Sequence, residues 1–189
     1  MKQAKVLTKS ELQRVLAVIA TGKHALRNRV AMLLSHYAGL RVGEIASLRW
    51  QQLLETDGSI IAVFYLNPAD TKSCEARAVH LNPLLIKELN RFKSSLNEHQ
   101  LGGPIIASQK GSSFSANSLC QLFGRIYAAA GISGASSHSG RRWFITRLAH
   151  SGVSPKVIME LAGHKNLGTT QRYIEVNERM KQQAVSLLG

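Results

Sequence analysis

The chain has 189 residues, 44% of them apolar, and 24 Lys+Arg against 11 Asp+Glu give a formal charge of +13 and a pI near 10.3. That length and apolar content fit one domain with a real hydrophobic core, which excludes a disordered tail and a peptide hormone. No apolar run reaches the length of a membrane span, the start MKQAKVLTKSELQ lacks the apolar stretch of a secretory leader, and the charge favours a polyanionic partner.

TKSELQRVLAVIA opens with a capping box, Thr8 with Glu11, and continues with apolar residues at helical spacing. HALRNRVAMLLSHYAGL predicts a second helix closing near Gly39, and RVGEIASLRW a short third one. SIIAVFYL is β-branched and aromatic and predicts a strand. TKSCEARAVHL reads as a turn into a second strand, with Ala76, Ala78 and His80 alternating against Arg77, Val79 and Leu81. Pro83 starts a helix expected to run to about Asn97, and LGGPIIASQKGSS is a loop with one very short extended piece. SANSLCQLFGRIYAAAG and SHSGRRWFITRLAHSG are helical, closing at Gly131 and Gly152. Ser154 and Pro155 form an N-cap and first-turn pair for a helix ending at Gly163. The expected fold class is α+β, mainly α-helical with a small antiparallel sheet of about three strands, in one domain.

The charge is not spread evenly. Residues 1–50 hold nine Lys/Arg against two acids and 138–189 hold eight against three, whereas 51–137 are nearly balanced at seven against six. The two ends are therefore expected to act together. Several chemistries are absent from the pattern: there is no phosphate-binding P-loop, no dinucleotide fingerprint, no serine elbow, and no H-x-x-x-H or H-E-x-x-H among the seven histidines. Carboxylates are too scattered for a metal-dependent nuclease, and Cys74 and Cys120 have no metal spacing and read as free thiols of a reducing compartment, the cytoplasm or nucleoid. No metal and no cofactor are expected, so phosphate chemistry here must rely on cations.

Four places offer them. In AGLRVGEIASL, Arg41 follows a helix-ending glycine, with Glu44 three residues on to cap the next helix or hold the arginine. Lys72 lies in the turn before a strand. In SHSGRRWF, His138 and Arg141 share a face at a helix start, where the helix adds positive potential. In LAGHKNLGTTQRYIE, His164 precedes Tyr173 by nine residues. On one continuous helix, nine steps of about 100° would put these two on opposite faces, but Gly163 and Gly168 argue for a break that lets them converge. Taken singly, Arg41 and Lys72 read as solvated surface cations and Tyr173 as a half-buried packing residue, while for His138 with Arg141 the packing and functional readings are balanced.

In order along the chain, GLRVGEI, the lysine turn of TKSCEARAVHL, the H-x-x-R of HSGRR, LAGH and the tyrosine nine residues after its histidine make a combined pattern. On these pieces the chain resembles the tyrosine recombinases, or phage-type integrases, over nearly all its length. The resemblance implies the catalytic domain shared with type IB topoisomerases. It further implies that Tyr173 is the nucleophile on a DNA phosphodiester, that Arg41 and Arg141 grip the non-bridging oxygens, that Lys72 is the general acid, that His138 assists proton transfer and that His164 hydrogen-bonds the phosphate. A free tyrosine has a pKa of about 10 and is a poor nucleophile near neutrality, and a field of cations favours its phenolate. The implied function is site-specific recombination of the integrase or invertase type through a 3′-phosphotyrosyl link. A non-catalytic DNA-binding accessory or excision factor and a topoisomerase are the alternatives. The expected partners are double-stranded DNA, further copies of the chain as dimers or tetramers on DNA, and accessory DNA-bending proteins, with no membrane.

Residues 1–173 are expected to form the catalytic domain and 174–189 a tail helix, its stripe of Met180, Ala184, Leu187 and Leu188 docked in cis or exchanged with a neighbouring subunit. The family's N-terminal DNA-clamping domain is not expected in these residues, as in a short invertase-like member or a fragment. Arg142 stands where the family often has histidine, and the lysine turn TKSCEAR replaces a commoner glycine-rich one.

Overall fold

The structure, a computed structural model, describes residues 3–70, 76–173 and 178–186. Helix α1 (Lys9–Ala20) begins with the expected capping box: Thr8 Oγ1 accepts the Glu11 N–H at 3.2 Å and Glu11 accepts the Thr8 N–H at 2.9 Å. It buries Leu12, Val15 and Ile19, one face at helical spacing. Helix α2 (Ala25–Tyr37) is buried at every residue from Val30 to His36, which fits a helix surrounded by others. It is packed by α1, by α4 (Pro83–Lys93) and by α7 (Ser139–His150). The short α3 (Val42–Ser47) follows and leads into a turn of 3-10 helix at Trp50–Gln52.

The sheet differs from the expectation. Among the described residues it has two antiparallel strands, β1 (Val63–Leu66) and β2 (Arg77–His80), with Val63 opposite His80 and Leu66 opposite Arg77. The expected third extended piece makes only isolated bridges, Arg49 with Pro104 and Ala107 with Ser113. The Arg49–Pro104 bridge consists of the Ile105 N–H donating to Leu48 O at 2.9 Å and the Trp50 N–H donating to Gly103 O at 3.3 Å, and it does not propagate because Arg49 is flanked by the end of α3 at Ser47 and the 3-10 turn from Trp50. The long helix expected from Pro83 to about Asn97 also divides. It stops at Lys93, and Asn97 caps a separate short α5 (Glu98–Leu101).

Helix α6 (Ala116–Ala129) completes the main core, whose largest buried side chains include Trp50, Phe64, Phe123 and Tyr127. A second, smaller cluster of Ile145, Ala149, Ile158 and Ala162 lies between α7 and α8 (Pro155–Ala162), with Phe144, Leu148, Val153 and Tyr173 packed on it. Helix α9 (Leu167–Gln171), capped by Asn166, packs on α8. Helix α10 (Glu178–Ser186) exposes Ala184 and Val185. Leu187 and Leu188 of the expected tail stripe lie outside the described residues, as do Lys72 and Cys74. No helix among the described residues is long and apolar enough to cross a membrane.

Candidate active site

The site forms where the small cluster meets the main body, and its scaffold is the C-terminal end of α8. The last carbonyls of a helix lack intrahelical donors and carry partial negative charge. Here three successive ones are each taken by a different arginine. Arg77 Nη1 donates to Leu161 O at 2.7 Å, Arg141 Nη2 donates to Ala162 O, and Arg41 Nη2 donates to Gly163 O at 3.1 Å. These arginines come from β2, α7 and the residue before α3, so one helix end ties three parts of the chain together.

Glu44, only 1% exposed, balances part of this charge. One carboxylate oxygen accepts Arg41 Nη1 at 2.7 Å; the other accepts the Arg41 backbone N–H at 2.8 Å and Arg77 Nη2 at 2.8 Å. Both expected roles of Glu44, helix cap and arginine holder, are met by the same side chain. Arg141 is buried, and Nη1 donates to Gly39 O at 2.7 Å. Burial, then the like charge of Arg41, pull its guanidinium down to about 9, with Glu44 opposing, so it remains a cation at neutral pH. Burial likewise lowers Arg77 from the usual arginine value, against the pull of Glu44. Three cations around one carboxylate leave a local excess of positive charge, which suits an anion.

Gly163 makes the crowding possible. It ends α8 at φ +61, a conformation costly for other residues, and a Cβ there would collide with Cδ of Arg77. The chain then reverses, so His164 follows α8 directly while Tyr173 sits in the turn after α9. The break is at Gly163; Gly168 lies inside α9. The two rings meet nearly parallel, 21° apart with centroids at 6.0 Å. The His164 imidazole contacts Thr170 Oγ1 through Nδ1 at 2.8 Å. Burial, then Arg141, Arg41 and Arg77, push its pKa down to about 4, so it is neutral at pH 7. His138, the N-cap residue of α7, is exposed.

Arg41, His138, Arg141, His164 and Tyr173 all line one open cavity of about 670 Å³. The sixth expected residue, Lys72, falls outside the described residues.

The Phage integrase family model matches residues 5–180. The chain belongs to the phage integrase family. It is 31% identical over 175 residues to tyrosine recombinase XerA of Thermococcus kodakarensis, covering 91% of this chain and 58% of that protein. The phage integrase segment thus spans 58% of the length of this curated relative. In fold it is similar to a crystal structure of XerA recombinase, with a TM-score of 0.75 and 18% identity over 99% of this chain and 66% of that one. It is also similar to the Tn1549 transposon integrase solved with circular intermediate DNA, with a TM-score of 0.80 and 18% identity over 100% of this chain and 68% of that one.

Two residues of this phage integrase site escaped the sequence reading. Arg77 was placed in a strand and given no role, yet it faces inward with Val79. An arginine on the apolar side of an alternating strand was the available signal. Thr170, fully buried against His164, had none, because its contact depends on the reversal at Gly163.

Proposed function

We propose that the chain is the catalytic part of a site-specific DNA recombinase of the integrase or invertase type. The observation that carries this reading is the single cavity lined by Arg41, His138, Arg141, His164 and Tyr173. The name of the Thermococcus relative, a tyrosine recombinase, and the DNA bound to the Tn1549 integrase support it.

The Tyr173 hydroxyl attacks a backbone phosphorus, forming a 3′-phosphotyrosyl bond as the bond to the 5′ oxygen breaks. His138 assists removal of the phenolic proton, and Lys72 protonates the leaving oxygen. Arg41 and Arg141 stabilise the pentacoordinate charge. His164 acts as a neutral hydrogen-bonding group: with the Thr170 hydroxyl donating to Nδ1, the ring presents Nε2–H to a phosphate oxygen. A partner strand's 5′ hydroxyl then attacks the link, so no external energy source enters. Duplex DNA is the substrate, held by salt-sensitive backbone contacts of the basic surface, and the reaction belongs to the cytoplasm, at the nucleoid. Self-association into dimers or tetramers on DNA is assigned to α10, where Ala184 and Val185 are exposed.

The test is incubation with nicked duplexes carrying randomised sequence around the nick, followed by a denaturing gel. A covalent protein–DNA adduct is expected with the native chain and in EDTA, and none with Tyr173→Phe. DNA binding without any adduct would replace this reading with an accessory binding factor.

A further inference from the structure

Arg142 lines the same cavity as Arg141, although the two are adjacent on α7. Its Cζ lies 5.4 Å from the centroid of the Tyr173 ring, over its face. The same guanidinium is anchored: Nη1 donates to the Ala4 carbonyl at 2.5 Å. The chain just after Ala4 is fixed in place. The Lys5 N–H donates to Gly134 O at 2.9 Å, the Lys5 ammonium pairs with Glu11 at 2.6 Å, and Leu7 is buried in the main core. Gln3 and Ala4 thereby form a strap along one wall of the cavity.

Arg41 and Arg141 are committed to Glu44, Gly39, Ala162 and Gly163. Arg142 is, among the described residues, the cation stacked on the tyrosine. We propose that Arg142 is the positioning residue of Tyr173: the N-terminal strap holds its guanidinium, which seats the phenol ring beside His164 and keeps a fixed positive charge over the face of that ring. The inference rests on Tyr173 being the nucleophile. Cation–aromatic contacts of this kind strengthen as water leaves, so DNA closing over the cavity tightens the contact when the attack takes place. The strap also links the chain ahead of α1 to the reactive ring through one side chain, giving that segment a direct hold on the nucleophile's geometry.

Two substitutions separate the charge from the tether. Arg142→Gln keeps an N–H for Ala4 O and loses the cation; Arg142→Lys keeps the cation and loses the planar fork. Adduct formation on the nicked duplex is expected to slow about tenfold in Arg142→Gln, with DNA affinity within twofold of native, and to recover most of that loss in Arg142→Lys. A Gln variant as fast as the native chain, or Lys and Gln variants equally slow, would overturn the proposal. The native chain and Tyr173→Phe run alongside, so failure of the nucleophile reading appears as no adduct from the native chain. In that case the ring itself decides: labelled-tyrosine NMR is expected to show the Tyr173 ring signal shifted and broadened in Arg142→Gln, and an unchanged signal rejects the positioning role.

Discussion

Glu44 and Arg77, thirty-three residues apart, form an ion pair at 2.8 Å in which the carboxylate has 1% and the guanidinium 9% of its surface exposed. The same carboxylate holds Arg41, so its charge serves two cations that would otherwise repel. Removing one partner of a buried pair leaves an uncompensated charge and costs about 3–5 kcal/mol. Glu44→Gln is therefore expected to lower the stability to urea by about 3 kcal/mol and to disorder Arg41. A loss under 1 kcal/mol would mean that the arginines are balanced by something else.

Gly163→Ala should act through Arg77. The left-handed backbone alone costs about 1 kcal/mol for alanine, and the collision with Cδ of Arg77 adds to it. In an Arg77→Ala background the collision is gone, so the double-mutant cycle should show a favourable coupling of about 1 kcal/mol or more. Strict additivity would place the strain elsewhere.

Thr170→Val keeps the shape and removes the hydroxyl beside His164 Nδ1. Stability is expected to fall by about 1 kcal/mol. If His164 serves the phosphate as proposed, adduct formation slows about tenfold with DNA affinity unchanged, because the imidazole loses its orientation and preferred tautomer. Full-rate adduct formation would remove Thr170 from the site.

Acid should destabilise the domain before its carboxylates titrate. His36 is fully buried between α2 and α7, donates Nδ1–H to Met32 O at 2.9 Å, and is pushed down by burial to about 4 from an ordinary 6.5. Below 6.5 the unfolded chain takes up a proton that the folded chain refuses, so stability rises with pH between about 4 and 6.5 and falls on acidification through that window. For His36 the loss by pH 4 is about 3 kcal/mol. The half-buried His164, displaced in the same direction, adds a smaller, screened amount. Urea titrations at pH 7 and pH 4.5 should show the fall, and His36→Gln should flatten it. A pH-independent midpoint would mean that His36 is protonated in the folded state.

The helices were legible because their boundaries carry local chemistry: Thr8, Asn82, Ser115 and Ser154 each accept an N–H of the first turn, and Gly163 ends its helix with positive φ. The convergence of His164 and Tyr173 was legible for the same reason, since one glycine breaks the helix between them. The very short extended piece at Ile105 and Ile106 pairs only as an isolated bridge, Arg49 with Pro104, because its partner Arg49 lies between two helical segments. Arg77 is hard to read because its partners, Glu44 and Leu161, are distant in sequence; its place on the apolar side of the strand marks it as inward-facing but not as paired.

The three carbonyls at the end of α8 bear on how the domain comes apart. The α8–α9 unit carrying His164 and Tyr173 buries only two apolar side chains of its own, Ile158 and Ala162, against Ile145 and Ala149 of α7, and is otherwise tied to the body by guanidinium contacts. Regions with few buried apolar contacts open at lower free energy than the global transition. Amide exchange should accordingly be faster in 155–173 than in α2, and the chain can populate a state that is folded through its main core yet has released its tyrosine. If Tyr173 is the nucleophile as proposed, inactivation by mild denaturant would then precede loss of fold, and a folded population would overstate the number of competent sites.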